Sequence, residues 1–201
     1  MDVKELQKKY KTKKRSIKEK LEEFRNLPER DYEKEFMFCI LTPQSNAQRC
    51  WEAVEQLSKH DEINKDKIRE ILKTRTRFHN NKANYLLEAK QMWSKIKPTL
   101  EKRDIITLRN WLSENVKGYG LKEASHFIRN IGKSNSKIAI LDRHILRNLK
   151  SLDVIKDEKI KNRGDYLEKE QKFIEFAKKM QIPIDELDLL FWSEENGEIF
   201  K

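Results

Sequence analysis

Two glycines and a lysine stand close together in the segment VKGYGLKEA, residues 116–124. The chain has only five glycines, and Gly118 and Gly120 lie within three residues of each other, which indicates a requirement of the backbone. Glycine permits positive φ angles, and the amides of such a turn can face outward as a nest for a phosphate oxygen. The segment fits a phosphodiester clamp that contacts DNA without reading its sequence. The alternative is an ordinary turn between two helices that binds no ligand.

Lys122 and Asp142 add groups that can take part in a reaction. Lys122 follows Gly120 by two residues, and Asp142 comes twenty residues later, in IAILDRHIL. A lysine amine is a nucleophile when it is neutral, and an ionised carboxylate stabilises positive charge that develops beside it. Asp142 lies where a helical pattern begins, so its carboxylate can also cap that helix. Alternatively, Asp142 is only a cap and Lys122 only a surface lysine.

The elements that must position these residues are predicted to be helices, because apolar residues recur with helical periodicity and no convincing alternating strand is found. On either side of the glycines, two helices carry apolar faces that can close into a tight hairpin. These faces consist of Leu108, Trp111, Leu112 and Val116, and of Ala124, Phe127, Ile128 and Ile131. Helices are predicted over residues 2–26, 30–42, 64–74, 105–116, 122–131, 165–181 and 184–192. One further helix is predicted to begin near residue 45 and another to end near residue 97, and a short tail follows the last helix.

Composition points to a helical protein with an anionic partner. Of 201 residues, 39% are charged, only five are glycine and four are proline, and the formal net charge is +10. Such a charge favours nucleic acid as partner, then a membrane surface. A solvated Lys/Glu surface of the kind found in thermophile proteins is the alternative, since 34 acidic residues accompany 44 basic ones. No stretch approaches 18 apolar residues and no leader is found, so a soluble, intracellular protein is expected.

The cysteines exclude several kinds of site. Only Cys39 and Cys50 occur, eleven residues apart and without a Cys-x-x-Cys pair. Disulfide scaffolding, a zinc site and an iron–sulfur cluster are therefore poorly supported. With no clustered His, Cys and Asp residues, no catalytic metal is indicated.

Taken together, Gly118, Gly120, Lys122 and Asp142 resemble the helix-hairpin-helix DNA glycosylase superfamily. Its pattern is a Gly-x-Gly hairpin, a lysine two residues on in the lyase members and an aspartate about twenty residues later. The resemblance implies that Lys122 attacks the sugar of a damaged nucleotide, forms a Schiff base and promotes β-elimination, while Asp142 stabilises the oxocarbenium charge.

Within this superfamily the chain resembles the type-2 8-oxoguanine DNA glycosylase/AP lyases of base excision repair. The resemblance runs through ILTPQSNAQRCW, RTRFHNNKANYLLEA, VKGYGLKEASHFIRNIG and ILDRHILRNL to a lysine nine residues after a tryptophan. It implies an all-α, two-lobed fold with DNA in the cleft between the lobes. The approximate lobes are residues 1–33 plus 138–201 and residues 34–137. Endonuclease III and the adenine-mismatch glycosylases usually carry four cysteines near the C-terminus, which this chain lacks.

The same resemblance assigns residues to the damaged base. Phe78 and Trp192 would sandwich the oxidised guanine, since an extruded base needs a slot with apolar walls. Lys201 would help to distinguish 8-oxoguanine from guanine through a carboxylate or carbonyl acceptor, because oxidation turns the ring nitrogen at position seven into a donor. The alternatives are core aromatics for Phe78 and Trp192 and a frayed tail for Lys201.

Further contacts with DNA are expected from three residues. Gln44, in LTPQSNAQ, would offer a polar side chain to the gap left by the flipped nucleotide, or else be a solvated first-turn residue. Lys82 would contact a phosphate. His144 would orient a phosphate or simply pack, and packing is favoured. No cofactor is expected, although the hairpin carbonyls could hold a monovalent cation when DNA is bound. A monomer acting in the prokaryotic cytoplasm is expected.

Two other functions stay open at this point. One is an oxidised-pyrimidine glycosylase/lyase of the endonuclease III type that lacks the iron–sulfur cluster. The other is a non-catalytic helix-hairpin-helix DNA-binding protein, in which Lys122 is merely basic. Strand cleavage that depends on a lesion distinguishes an enzyme from a DNA-binding protein. Comparing cleavage of oxidised purine and oxidised pyrimidine substrates distinguishes the two enzymes.

Overall fold

The computed structural model describes residues 2–60 and 64–201, and within these two ranges the chain contains helices and no strands. The all-α prediction is therefore confirmed. In chain order the helices are α1 Val3–Arg25, a 3-10 turn at Glu29–Asp31, α2 Tyr32–Leu41, α3 Ala47–Leu57, α4 Lys65–Lys73, α5 His79–Ile96, α6 Thr99–Lys102, α7 Ile105–Asn115, α8 Leu121–Asn130, α9 Arg143–Ser151, α10 Arg163–Met180 and α11 Ile184–Asn196.

The chain divides into two compact units. Unit 1 consists of Met1–Leu27 and Ile128–Lys201, and unit 2 consists of Pro28–Phe127. The second limit falls inside α8, so the hairpin and the first turns of α8 belong to unit 2. The approximate lobe limits predicted from the sequence, after residues 33 and 137, lie six and ten residues further along the chain than the unit limits after residues 27 and 127.

Helix α1 shows how an amphipathic sequence builds unit 1. Its buried residues recur at helical spacing, whereas the residues between them are mostly Lys and Glu exposed to solvent. The buried residues are Leu6, Tyr10, Ile17, Leu21 and Phe24. In the same unit α11 packs against α1, α9 and α10, and the rings of Phe173 and Phe191 stack with their centroids 6.0 Å apart. The apolar face of α1 is thus covered by α11.

Unit 2 is organised around the buried helix α2. This helix packs against α3 and α5, and its segment FMFCIL is buried throughout. Phe36 on α2 makes ring contacts with Trp93, Tyr119 and Phe127, at centroid distances of 5.3, 4.8 and 5.3 Å. Aromatic side chains from α5, the hairpin and α8 therefore meet on one residue of α2, which fixes the place of the hairpin.

Several helices start at an Asp or Asn whose side chain accepts hydrogen bonds from the first turn. These caps are Asp2, Asn46, Asn64, Asp104, Asp142 and Asn162. A cap of this kind is worth about 1 kcal/mol and specifies where the helix begins. The cap that was predicted at Asp142 is confirmed.

The last helix is longer than its sequence pattern predicts. Helix α11 continues to Asn196 instead of ending at residue 192, so Trp192 lies inside the helix and not at its last position. The helix ends at Gly197, whose φ of +79° places it in the left-handed region that commonly closes a helix. No helix in the described ranges has the length and apolar composition needed to cross a membrane.

Candidate active site

The Gly-Tyr-Gly segment forms the predicted hairpin between α7 and α8. Helix α7 ends at Asn115 and α8 begins at Leu121. Gly118 has a φ of +87°, which an L side chain rarely adopts. The amide of Tyr119 donates to the carbonyl oxygen of Val116 at 3.1 Å and so closes the turn.

Tyr119, the residue between the two glycines, anchors the hairpin in unit 2. Its hydroxyl donates to the carbonyl oxygen of Phe36 at 2.9 Å, and only 6% of the residue is exposed. Burial raises the pKa of the Tyr119 phenol well above its usual value, so the hydroxyl stays a donor. The sequence analysis missed this anchor, although an aromatic residue between two turn glycines was a signal for it.

The hairpin also lies against helix α5. A side chain at Gly118 would place its Cβ 2.7 Å from a ring carbon of Tyr85, and Lys117 pairs with Glu88 at 3.0 Å. Gly118 is therefore required both by its backbone angle and by the closeness of α5. No comparable crowding surrounds Gly197, where an added Cβ would meet no atom within 4 Å.

Replacing Gly118 with Ala is expected to lower the free energy of unfolding by about 1–3 kcal/mol, because it adds a steric clash to left-handed strain. Gly197→Ala carries the same kind of strain without the clash and should cost about 1 kcal/mol. Urea unfolding of the two variants measures the difference. Equal losses would mean that Tyr85 does not restrict the hairpin.

Lys122 lies in the first turn of α8, directly behind the hairpin. Its Nζ is 2.8 Å from Oε1 of Glu123, and the two side chains are 23% and 13% exposed. The other carboxylate oxygen of Glu123 accepts the amide of Gly120 at 3.0 Å. Glu123 thus caps α8 and contacts the candidate nucleophile with the same carboxylate, a link that the sequence analysis missed.

Lys82 is placed differently from its prediction. The sequence analysis predicts a phosphate contact, but the residue is 4% exposed and its ammonium lies inside unit 2. Nζ donates to the carbonyl oxygens of Leu41 and Pro43 at 2.7 and 2.8 Å and to the hydroxyl of Ser45 at 2.8 Å. All three ammonium hydrogens are used by the chain itself, so this position does not present a cation to a phosphate.

The charge of Lys82 is coupled to the first turn of α8. Burial lowers the pKa of the Lys82 ammonium to about 8. The positive charges of Lys122 and Arg77 act in the same direction as burial, while Cys50 and Glu123 act in the opposite direction. Lys82 therefore stays mostly charged at neutral pH.

Gln44 and Phe78 lie on two loops that Ser45 connects. The Ser45 hydroxyl accepts the amide of Arg77 at 2.9 Å as well as the ammonium of Lys82. Gln44 and Phe78 both have left-handed backbones, with φ of +55° and +57°, and both side chains are exposed. Non-glycine residues adopt this conformation in only a small fraction of cases.

The exposure of Phe78 decides between the two interpretations of that residue. Phe78 is 52% exposed at the N-terminus of α5, with the Arg77 guanidinium 5.4 Å from the ring centroid. The alternative that Phe78 belongs to the core is therefore wrong. An aromatic face left open to solvent on a constrained loop is suited to stacking.

Asp142 and His144 lie at the N-terminus of α9 in unit 1. Oδ1 of Asp142 accepts the amides of His144 and Ile145, both at 2.8 Å. The His144 ring has Nδ1 3.2 Å from a Glu195 carboxylate oxygen and Nε2 3.2 Å from Nε of Arg143. Both ring nitrogens face groups of the chain, which favours packing over a phosphate contact for His144.

Trp192 and Lys201 also belong to unit 1, and both are partly exposed. Trp192 lies on α11 and Lys201 in the extended segment that follows this helix. As for metals, no group of three or more His, Cys, Asp or Glu side chains that could hold an ion occurs among residues 2–60 and 64–201.

Comparison with known proteins gives a consistent result. The family model described as 8-oxoguanine DNA glycosylase matches residues 17–182. The chain is 44% identical to the 8-oxoguanine DNA glycosylase/AP lyase of Fusobacterium nucleatum, over 98% of this chain and 96% of the relative. It is 36% identical to the protein of the same name from Picrophilus torridus, over 92% and 90% of the two chains.

Solved structures similar to this chain are of the same kind. The crystal structure of the 8-oxoguanine DNA glycosylase of Thermotoga maritima matches with a TM-score of 0.89 and 30% identity, over 99% of this chain and 98% of that one. The Methanocaldococcus jannaschii 8-oxoguanine glycosylase/lyase, in complex with a 15mer DNA containing 8-oxoguanine, matches with a TM-score of 0.89 and 30% identity, over 99% of both chains.

Proposed function

Because the chain belongs to the 8-oxoguanine DNA glycosylase family, we propose that it excises 8-oxoguanine from duplex DNA and then cleaves the strand as an AP lyase. The observation that carries the proposal is the place of Lys122, partly exposed in the first turn of α8 behind the Gly118 hairpin. A primary amine at that point can reach a nucleotide whose phosphates the hairpin amides hold.

Lys122 acts as the nucleophile. The lone pair of its neutral amine forms a bond to C1′ of the damaged nucleotide while the glycosidic bond breaks, and the base leaves with the electron pair and takes up a proton. Loss of a proton from nitrogen and opening of the sugar ring give a Schiff base. Removal of a C2′ proton then expels the 3′ phosphate, and hydrolysis returns the amine of Lys122.

Asp142 is the electrostatic partner in this reaction. Positive charge develops on the sugar as the base leaves, and an ionised carboxylate stabilises that charge. The two amides at the start of α9 hold Oδ1 of Asp142 in a fixed orientation.

The damaged base stacks on aromatic side chains. Phe78 and Trp192 are the stacking residues, and Lys201 contributes to the recognition of the oxidised ring. A stacked aromatic is worth about 1–3 kcal/mol per base and tolerates any base, so stacking holds the base and does not identify it. Discrimination therefore requires an acceptor for the new ring N–H of 8-oxoguanine.

The DNA backbone is held mainly by the hairpin and by the basic surface. The hairpin that contains Gly118 and Gly120 contacts a phosphate, although the amide of Gly120 itself is bound to Glu123, and the hairpin carbonyls are suited to a monovalent cation. The side chain of Gln44 fills the gap that the flipped nucleotide leaves in the duplex. His144 supports the N-terminus of α9, where the Asp142 carboxylate lies. No cofactor takes part, and the protein acts as a monomer in the prokaryotic cytoplasm, attracted to DNA by its formal charge of +10.

Phe78→Ala is expected to lower the rate of 8-oxoguanine excision by about 10–100-fold, the equivalent of one lost stacking face. Because the side chain is half exposed, the free energy of unfolding should change by less than about 0.5 kcal/mol. Single-turnover excision and urea unfolding measure the two quantities. Phe78→Tyr keeps the ring and should retain activity, whereas an Ala variant as active as the wild type would remove Phe78 from the base slot.

Strand cleavage on three matched duplexes tests the proposed function. The duplexes carry one 8-oxoguanine, one oxidised pyrimidine or no lesion, in the same sequence. We expect cleavage of the 8-oxoguanine duplex alone. Preference for the oxidised pyrimidine would point to an endonuclease III-type activity, and binding of all three duplexes without cleavage would point to a non-catalytic DNA-binding protein.

A further inference from the structure

Lys82 and Ser45 form a hydrogen-bonded pair, called the bracket below, to which the proposed reaction gives no role. Nζ of Lys82 donates to the Ser45 hydroxyl at 2.8 Å. Its other two hydrogens go to the carbonyl oxygens of Leu41 and Pro43, at 2.7 and 2.8 Å. The Ser45 hydroxyl also accepts the Arg77 amide at 2.9 Å and donates to Pro43 at 3.4 Å. Both side chains thus use their whole hydrogen-bonding capacity inside unit 2.

The end of helix α2 explains why a lysine is buried at this place. The helix ends at Leu41, so the carbonyl oxygens of its last turn have no partners within the helix. An ammonium at such an end satisfies free oxygens and is favoured by the helix dipole. Lys82 is 4% exposed and held at three points, so it is a fixed point for the loop that follows α2.

The bracket holds the chain on both sides of Gln44. Pro43 and Ser45, the two neighbours of Gln44, are both bound to the Lys82 ammonium. The backbone of Gln44 has a φ of +55°, and its side chain is exposed. A left-handed backbone at a residue other than glycine persists where the surrounding contacts enforce it. At Gln44 these contacts include the hydrogen bonds of the bracket.

The same bracket holds the backbone around Phe78. The Ser45 hydroxyl binds the amide of Arg77, the residue directly before Phe78. The amide of Lys82 donates to the carbonyl oxygen of Phe78 at 3.0 Å, one turn back along α5. Phe78 likewise has a left-handed backbone, with a φ of +57°, and an exposed ring. Two exposed side chains on separate loops are therefore attached to one pair of hydrogen-bonded residues.

We propose that Lys82 and Ser45 are positioning residues for the reaction, which set Gln44 and Phe78 in place before DNA binds. The inference deepens the proposed function and rests on the roles given there to these two side chains, filling the gap in the duplex and stacking on the damaged base. Loops that already have their binding conformation avoid the entropy cost of becoming ordered on binding. The bracket thus gives base recognition a fixed geometry.

Hydrogen exchange of the Arg77 amide, followed by NMR, tests the bracket without DNA. Arg77 is exposed, so the hydrogen bond to Ser45 is what slows exchange of this amide. Ser45→Ala removes the acceptor and should speed exchange by about tenfold, the worth of one hydrogen bond. Ser45→Thr keeps the hydroxyl and should retain the wild-type rate. Equal exchange rates in the wild type and Ser45→Ala overturn the inference.

Single-turnover excision of 8-oxoguanine tests whether the bracket acts through the two exposed side chains. Ser45→Ala is introduced into the wild type and into the double variant Gln44→Ala/Phe78→Ala. We expect a rate about tenfold lower in the wild-type background, because small displacements of a positioned group are costly. In the double variant the same change should have no effect, since nothing is left to position. A tenfold loss in both backgrounds overturns the inference.

Two further variants complete the test. Ser58→Ala is the matched control, because it removes a serine hydroxyl that donates to Val54 at the end of α3 in the same unit, and it should change neither measurement. Lys82→Met should slow excision about as much as Ser45→Ala, and a folded variant with wild-type excision overturns the role of Lys82. If circular dichroism shows Lys82→Met to be unfolded, the serine variants decide. Absence of 8-oxoguanine excision by the wild type would instead contradict the proposed function, while the Arg77 exchange rates would still test the bracket.

Discussion

Replacing Lys122 with Gln is expected to abolish the Schiff-base adduct with an abasic duplex and to lower strand cleavage by more than about 10³-fold. Gln has a similar length but no nucleophilic amine, and removal of a covalent nucleophile has effects of this size or greater. Borohydride trapping on gels and single-turnover cleavage measure the two effects. Because Lys122 is partly exposed, the variant should stay folded and bind the duplex.

Lys117→Gln is the matched control for this substitution. Lys117 lies on the same hairpin and pairs with an exposed glutamate, Glu88. Its loss should weaken DNA binding slightly, through one phosphate interaction at most, and leave the adduct intact. An adduct of undiminished yield from Lys122→Gln would mean that another amine is the nucleophile.

Asp142→Asn is expected to lower the excision rate by about 10²–10³-fold with little change in stability. Asn caps a helix about as well as Asp, so the hydrogen bonds to His144 and Ile145 can be kept while the negative charge is lost. Removing one charge or donor that stabilises a transition state has an effect of this size. Single-turnover excision and thermal unfolding distinguish the electrostatic role from the structural one.

Asp104→Asn offers a close control, because Asp104 caps α7 with the same pair of amide hydrogen bonds. It should leave both excision and stability nearly unchanged. If Asp142→Asn retained wild-type activity, Asp142 would be a cap and nothing more. If both variants lost activity equally, the loss would not be specific to the charge of Asp142.

Local features of this protein were predictable from the sequence. Amphipathic periodicity and Asp or Asn caps act within a few residues, so most of the predicted helix limits followed from the chain itself, with the end of α11 as an exception. The hairpin could be located because a glycine pair in a glycine-poor chain marks backbone angles that other residues avoid. The exposure of Phe78 could be anticipated from its basic, helix-poor surroundings.

Features that depend on distant residues were not predictable. The partners of Lys82 are carbonyl oxygens about forty residues earlier in the chain, and backbone acceptors leave no trace in a side-chain pattern. Tyr119 finds its acceptor on Phe36, and this pairing is likewise set by tertiary packing. The left-handed backbone of Gln44 is imposed by a loop that Ser45 ties to another loop.

The site as a whole therefore has two kinds of residue. Lys122 and Asp142 could be named from their types and spacing, because the chemistry requires an amine and a carboxylate. The carboxylate beside Lys122, that of Glu123, emerges only from the distances in unit 2. Environment and not residue type sets the reactivity of a lysine.

Identifying the amine that forms the covalent intermediate is the most direct test of Lys122 as the nucleophile. The wild-type protein is trapped with borohydride on a duplex that contains one 8-oxoguanine opposite cytosine, and the adduct is digested and mapped by mass spectrometry. We predict a single modified peptide, with the remnant of the sugar on Nζ of Lys122. A remnant on another amine, such as Lys82, Lys117 or Lys201, would contradict the account, and so would lesion-dependent excision with no covalent adduct.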